Sequence, residues 1–509
     1  MTLSGMTASC LMVQGTASGV GKSLLTAAFC RIFSRQGYRV APFKAQNMAL
    51  NAAVTADGCE IGRAQAAQAE AAGVEPTVDM NPILLKPEGE DCSQVVVRGR
   101  PIGRLTFREY GAQRGALLAV VAESLARLRA AHDLVIIEGA GSPAEINLSA
   151  GEIVNMRIAR LADAPVVLVG DIDRGGVFAA FVGTLALLEP DDRARVAGFV
   201  VNKFRGNLAL LAPGLDMLYE RTGVPVLGVV PYLERGLVPT EDSLDLDDAA
   251  PASGGARLDI VVVRPPRIAN FDDVEPLARE PGVRVRFATS PSHLVGADLL
   301  IVPGSKSTIA DLAWLRESRL ADALIAAARA GTPLIGLCGG YQMLGRALED
   351  PDGVESSVTT AAGLGLLPVV TTFGATKRTV RVHARVIAEV GPLAAVRGQT
   401  IEGYEIHMGT TRVEGAGAPF SILDRGGAPC GDPDGALAFD GVVIGTYLHG
   451  LFANDGLRRA LLDWLATRTG VAADPRWGQR ESATARYDRL ADAVAAAVDL
   501  KTISALIGL

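Results

Sequence analysis

A chain of 509 residues exceeds what one ordinary core accommodates, so two or three domains are expected. Hydrophobic residues at 49% and charged residues at 21% exclude a disordered chain, and a formal charge of -7 without a basic stripe argues against a nucleic-acid partner. No run of about 18 uncharged apolar residues and no basic-then-apolar leader occurs, so the expectation is a cytoplasmic protein without a membrane partner. The cysteines at positions 10, 30, 59, 92, 338 and 430 form no CxxC pair, which fits free thiols in a reducing compartment rather than a disulfide or zinc framework.

In chain order, the apolar run Leu11 to Val13 leads into QGTASGVGKS and then into an amphipathic stretch, which reads as strand, glycine-rich loop and helix. Gly15, Thr16, Gly19 and Gly21 would present backbone N–H groups to phosphate, with Lys22 on the terminal phosphates and Ser23 on a magnesium ion. Gly15 lies one residue further from Gly-Lys-Ser than the common phosphate-loop spacing requires; a longer loop can still cradle phosphate. A plain glycine turn does not explain Lys and Ser at the helix start. The second strand runs into PFKAQNM, which places Lys44, Gln46 and Asn47 as candidates for substrate contact or, equally, in a solvated loop. EIGRAQAAQAEAA reads as helix and NPILLKP as strand or extended chain.

LVIIEGAG is a buried strand ending in Glu138, the candidate acid for magnesium. APVVLVGDID ends at Asp171 and Asp173, and the strand at 196–201 ends at Asn202 and Lys203, where nucleotide-binding sheets read the base. Acids at strand ends are usually just solvated, but several at successive strand ends beside a phosphate loop favour one shared site. These alternations predict an α/β doubly wound parallel sheet over 8–238. Between Pro239 and Arg257 apolar periodicity lapses and Pro, Gly, Ser and Asp cluster, so 239–257 is the predicted linker.

Strand patterns resume at Leu258, Leu299 and Leu334, giving a second doubly wound α/β domain over 258–455, followed by a helical extension over 456–509. LIGLCGGYQML reads as a buried strand, a sharp turn and a helix with Cys338 at the turn. A lone Cys is more often a small core residue; glycines on both sides tilt the reading toward a nucleophile approached closely by substrate. Backbone N–H groups of Gly339 and of Gly304, in the turn PGSKST, are candidates for an oxyanion hole. Of five histidines, His132 and His293 read as solvent or packing residues and His383 as a strand residue. His407, beside a Glu in GYEIHMG, is harder to dismiss. His449, at the end of VVIGTYL in the same domain as Cys338, is the chosen base.

With these motifs in order, the chain resembles the cobyric acid synthase family of glutamine-dependent corrinoid amidotransferases. The resemblance rests on QGTASGVGKS, PFKAQNM, EIGRAQ, NPILLKP, VGDIDRGGVF, NKFRGN and PTEDS in the first half, and on RPPRIANFDD, PGSKST, LCGGYQMLG, GYEIHMG and GTYLHGLF in the second. It implies an N-terminal P-loop NTPase domain similar to dethiobiotin synthetase, which tolerates the longer loop, and a C-terminal class I glutamine amidotransferase domain. It implies Cys338 as nucleophile and His449 as base. The implied reaction uses ATP, Mg2+ and L-glutamine to amidate four peripheral carboxylates (b, d, e and g) of adenosylcobyrinic acid a,c-diamide through acyl phosphates. Many class I glutaminases carry an acid two residues after the histidine; here that residue is Leu451, as in this branch generally, so only a dyad is named. The alternatives are a cobyrinic acid a,c-diamide synthase and a non-catalytic regulatory ATPase fused to a glutaminase-like module.

Overall fold

The computed structural model describes residues 7–89, 91–147, 152–234, 236–239, 257–479 and 481–509, so most of the predicted linker (240–256) lies outside the described residues. The chain divides into two compact units. The first takes the residues through Ala49, Glu60–Pro239 and Glu481–Leu509; the second takes Leu50–Cys59 and the chain between Pro239 and Glu481. The sequence-based division differs at two places. Residues 50–59 belong to the second unit, and the C-terminal extension is split: helix Asp455–Thr469 belongs to the second unit, while Glu481–Leu509 returns to the first.

The first unit is built on a six-stranded parallel sheet in the order Val226–Pro231, Val196–Phe204, Val166–Asp171, Ser9–Gly15, Leu134–Glu138, Val40–Phe43. Its central strands are almost wholly buried, which is why they read as continuous apolar runs rather than alternations. From Ser9–Gly15 the chain moves to one side for two strands and then to the other. The phosphate loop therefore sits at a switch point, where the carboxyl ends of neighbouring strands converge. The predicted strand-to-loop stretch after Arg39 holds two strands, Val40–Phe43 and Gln46–Met48. The second of these joins Ile83–Pro87, Cys92–Val97 and Arg100–Thr106 in a small sheet. The helix expected from Glu60 begins at Arg63. Helix Phe107–Ala131 starts with a reciprocal cap: Thr106 Oγ1 accepts from the Glu109 N–H, and the Glu109 carboxylate accepts from the Thr106 N–H.

The returning C-terminal helices, Ala483–Ala495 and Leu500–Leu506, complete the first unit's core. Tyr487, Leu490, Val494 and Ile503 pack with Leu25, Phe29 and Phe33 of the helix that follows the phosphate loop. Arg31 forks onto Asp488 at 2.8 and 3.2 Å, and the Asp499 N–H donates to Leu227 O at 2.7 Å.

The second unit has its own sheet, ordered Val283–Ala288, Leu258–Val263, Leu299–Val302, Leu334–Leu337, Val443–Thr446 and Ala436–Ala438, parallel except for the last edge strand. A long antiparallel pair, Val369–Val386 with Thr400–Val413, carries His383 and His407. Helix Asp455–Thr469 places Leu457, Leu461 and Leu465 in the core beside Trp477. Among the described residues no helix is long and apolar enough to cross a membrane.

Because Leu490 and Ile503 are completely buried in the first unit, Leu490→Ala and Ile503→Ala are each expected to cost about 2–5 kcal/mol. Urea unfolding should show the loss in the first unit's transition; a loss confined to the second unit's transition would contradict the assignment of these helices.

Candidate functional site

In the first unit the phosphate loop ends at Gly21, whose φ of 99° lies in the left-handed region that glycine adopts without strain and which turns the chain into helix Lys22–Arg35. The Thr16 N–H donates to Val169 O of the neighbouring strand at 2.9 Å, anchoring the loop's start. Lys22 Nζ curls over the loop, donating to Ala17 O at 2.9 Å and Gly141 O at 3.0 Å. Asn202 Nδ2 donates to Val20 O and Lys203 Nζ to Gly19 O, each at 2.8 Å, so these two hold the loop's backbone from the adjacent strand end. Lys203 also pairs with Asp171 at 2.8 Å. Asp173 stands further out, paired with Arg205.

Glu138 is the hub of this end of the sheet. Its Oε1 accepts from Ser23 Oγ and from Lys44 Nζ, both at 2.9 Å, and its Oε2 accepts from Gln68 Nε2. Burial would raise its carboxyl, but the Lys44 ammonium and the three hydrogen bonds outweigh that and hold it below the usual carboxylate range. Lys44 thus joins the loop residues, whereas Gln46 meets Tyr110 OH and Asn47 donates to Gln65 Oε1 at 3.0 Å inside the small sheet's polar network. Gln68 escaped the sequence reading; its one signal was a pair of glutamines three apart in an otherwise Ala-rich helix, where they share a face.

In the second unit Cys338 sits between strand Leu334–Leu337 and helix Gly339–Leu344 with φ 51° and ψ -107°, a conformation that costs a non-glycine residue on the order of 1–3 kcal/mol. The Cys338 N–H donates to Thr446 O at 2.8 Å, and its thiol contacts Ile406 O at 3.4 Å. The turn leaves no room beyond glycine at position 340, where a Cβ would lie 1.9 Å from Val302 O. At Gly339 a Cβ would stand 2.8 Å from Ser305 N, and at Gly304 one would stand 3.3 Å from the His449 ring. Gly304–Ser305, expected as a glycine turn, is instead a short strand antiparallel to Ile268–Ala269, and it lies against both the Cys338–Gly339 turn and the imidazole. Ser305 Oγ, in turn, donates to the Asp311 carboxylate at 2.6 Å.

His449 is buried, and the Cys338 thiol stands near enough to act electrostatically on its ring. Its Nδ1 lies 2.6 Å from Asp273 Oδ2, and the Gly450 N–H donates to Asp273 Oδ1 at 2.8 Å. Burial alone would lower the pKa of the ring; Asp273 and Cys338 reverse this and raise it to about 10. The Tyr404 ring stacks on the imidazole at 5.2 Å. Asp273 was not singled out in the sequence, since it lies 176 residues from its partner and nothing in their spacing links them. His407 is buried nearby, stacked on Tyr447 at 3.7 Å, and burial pushes its pKa down to about 3, so it is neutral. The Glu beside it, Glu405, pairs with Arg425 instead. His383 pairs with Asp424 on an exposed strand, and His132 closes a helix against Leu128 O.

Two family models match the two halves: a CobQ/CobB/MinD/ParA nucleotide binding domain over residues 11–237 and a CobB/CobQ-like glutamine amidotransferase domain over residues 259–457. The chain is 60% identical to the cobyric acid synthase of Sorangium cellulosum, covering 99% of each chain. It is 51% identical to that of Moorella thermoacetica over 99% of this chain and 98% of the relative, and 49% identical to that of Dehalococcoides mccartyi strain CBDB1 over 98% of both. With a nucleotide-binding unit, a glutamine amidotransferase unit and similarity along nearly its whole length, the chain belongs to the cobyric acid synthase family.

Proposed function

We propose that this chain is a glutamine- and ATP-dependent ligase that converts adenosylcobyrinic acid a,c-diamide to adenosylcobyric acid by amidating four peripheral carboxylates. The observation that carries the reading is the Cys338 thiol, held on a strained strand-to-helix turn close to a buried imidazole, in a chain that also contains a phosphate loop. The names of the full-length relatives favour this product over the a,c-diamide of the neighbouring enzyme class. A non-catalytic module has no use for a strained thiol.

The Cys338 thiolate attacks the side-chain amide carbon of glutamine, forming a C–S bond, and the oxyanion would be met by backbone N–H groups of strand Gly304–Ser305 and of Gly339. As the C–N bond breaks, His449 gives its proton to the leaving nitrogen, which departs as ammonia. Water then adds to the thioester, returning a proton to His449 and releasing glutamate and the free thiol. In the first unit ATP phosphorylates a substrate carboxylate, giving an acyl phosphate and ADP. Ammonia displaces the phosphate, forming the amide and releasing a proton.

Lys22 and the backbone of Gly15, Thr16, Gly19 and Gly21 would bind the phosphates. Asn202 and Lys203, which grip that backbone, would fix the loop's shape. Ser23 Oγ and the Glu138 carboxylate, 2.9 Å apart, are the hard oxygens that would hold a magnesium ion. When bound, the ion would neutralise charge on the transferred phosphoryl group. Lys44, paired with Glu138, would meet the substrate carboxylate; Gln46, Asn47, Asp171 and Asp173 remain candidates for corrinoid contact.

Cys338→Ser is expected to abolish synthesis from glutamine while sparing synthesis from ammonium salts, with products counted by mass spectrometry; loss of both would assign the thiol a structural role. Lys22→Ala should reduce synthesis from either nitrogen source by at least about a hundredfold, since phosphoryl transfer is positioning and charge stabilisation. A near-normal rate would sink its phosphate role.

A further inference from the structure

Class I glutaminases commonly orient the imidazole with an acid two residues after the histidine, and here that position is the buried, apolar Leu451. His449 nevertheless meets a carboxylate. We propose that Asp273, in the 3-10 helix Phe271–Val274 that follows strand Ile268–Ala269, is the positioning residue for His449 and supplies the charge that the missing acid would have supplied. The proposal rests on the reading of Cys338 and His449 as nucleophile and base.

Both oxygens of Asp273 are committed to one object. Oδ2 takes the imidazole at Nδ1, 2.6 Å away, and Oδ1 takes the N–H of the next residue, Gly450, at 2.8 Å. Ring and backbone are thereby fixed together, so the ring cannot turn without breaking a charged contact. With Nδ1 on Asp273, Nε2 is the nitrogen left for the thiol, which sets the tautomer the reaction needs. Asp273 and His449 are 5% and 2% exposed, and among the described residues the imidazole is the carboxylate's ion-pair partner. A carboxylate buried this deeply is costly without a countercharge, so it favours the imidazolium form.

The start of the 3-10 helix that presents Asp273 is tied to the same ring. Asn270, at a left-handed φ of 52°, accepts the Asp273 N–H on its carbonyl at 3.1 Å. Its side chain is held by the Ala52 N–H at 3.3 Å and donates to the Tyr404 hydroxyl at 3.1 Å, and Tyr404 is the ring stacked on His449. The Phe271 N–H donates to Asn51 Oδ1 at 3.3 Å. Residues 51 and 52, drawn from the sequence of the nucleotide-binding half, thus hold the start of the 3-10 helix carrying the carboxylate. The groups facing His449 are Asp273, Cys338 and Tyr404, with neutral His407 further off.

The test compares the full-length protein with Asp273→Asn and Asp273→Glu. Asparagine keeps the shape and an acceptor for Gly450 but loses the charge. Glutamine hydrolysis by Asp273→Asn should fall on the order of 10²–10⁴-fold in kcat with little change in KM for glutamine, while ammonia-dependent synthesis and thermal unfolding report an intact fold. Because the carboxylate favours the imidazolium, its loss should move the alkaline limb of the kcat/KM profile to lower pH, and Asp273→Glu should restore part of the rate. Near-normal hydrolysis by Asp273→Asn, or a fall with the pH limb unmoved, overturns the proposal. Cys338→Ser, assayed in parallel, separates the two readings: if it still hydrolyses glutamine, the nucleophile assignment itself fails; if it is dead while Asp273→Asn is active, only the role of Asp273 falls.

Discussion

The second unit depends on one strained residue. Holding Cys338 at φ 51° and ψ -107° requires the surrounding structure to over-determine it. The adjoining strand receives its N–H at Thr446 O, glycine at 340 lets Val302 O pass within what would be a side chain's volume, and the short helix behind it is wholly buried. The same crowding brings strand Gly304–Ser305 against Gly339 and the imidazole. The thiol, the imidazole and the backbone of residues 304–305 and 339 are therefore gathered by one tightly packed strand-to-helix turn.

The first unit uses a softer device. Glu138 ends a buried strand next to the loop and gathers a hydroxyl, an ammonium and an amide, each from a different element. Charge pairing offsets the cost of burial, and the carboxylate stays ionised where a divalent cation and phosphates would need it. The C-terminal helices buttress the helix that leads out of the phosphate loop, so residues far along the chain support the first unit's loop.

Much of this was legible because it is local. Gly-Lys-Ser at a helix start, a carboxylate closing an apolar strand and a thiol between glycines each declare their geometry over a few residues, and the structure places Ser23 beside Glu138 and Cys338 beside His449. What escaped was set by packing across long separations. Asp273 meets His449 only because a left-handed turn at Asn270 is clamped by residues 51 and 52, and no period in the sequence encodes that meeting. Helices 483–506 read correctly as helices, yet their amphipathic faces do not say which core they cover. PFKAQNM read as a strand running into a polar loop, whereas Gln46 and Asn47 lie on a second strand inside a hydrogen-bonded network.

Everything in the second unit converges on attack of glutamine by the thiol on the strained turn. Rapid acid quench of the protein during turnover with glutamine, followed by peptide mass spectrometry, tests it directly. A γ-glutamyl adduct is expected on the peptide carrying Cys338 and on no other cysteine peptide; steady glutamine-driven turnover with that peptide unmodified, or with the adduct elsewhere, would rule out the thiol as nucleophile.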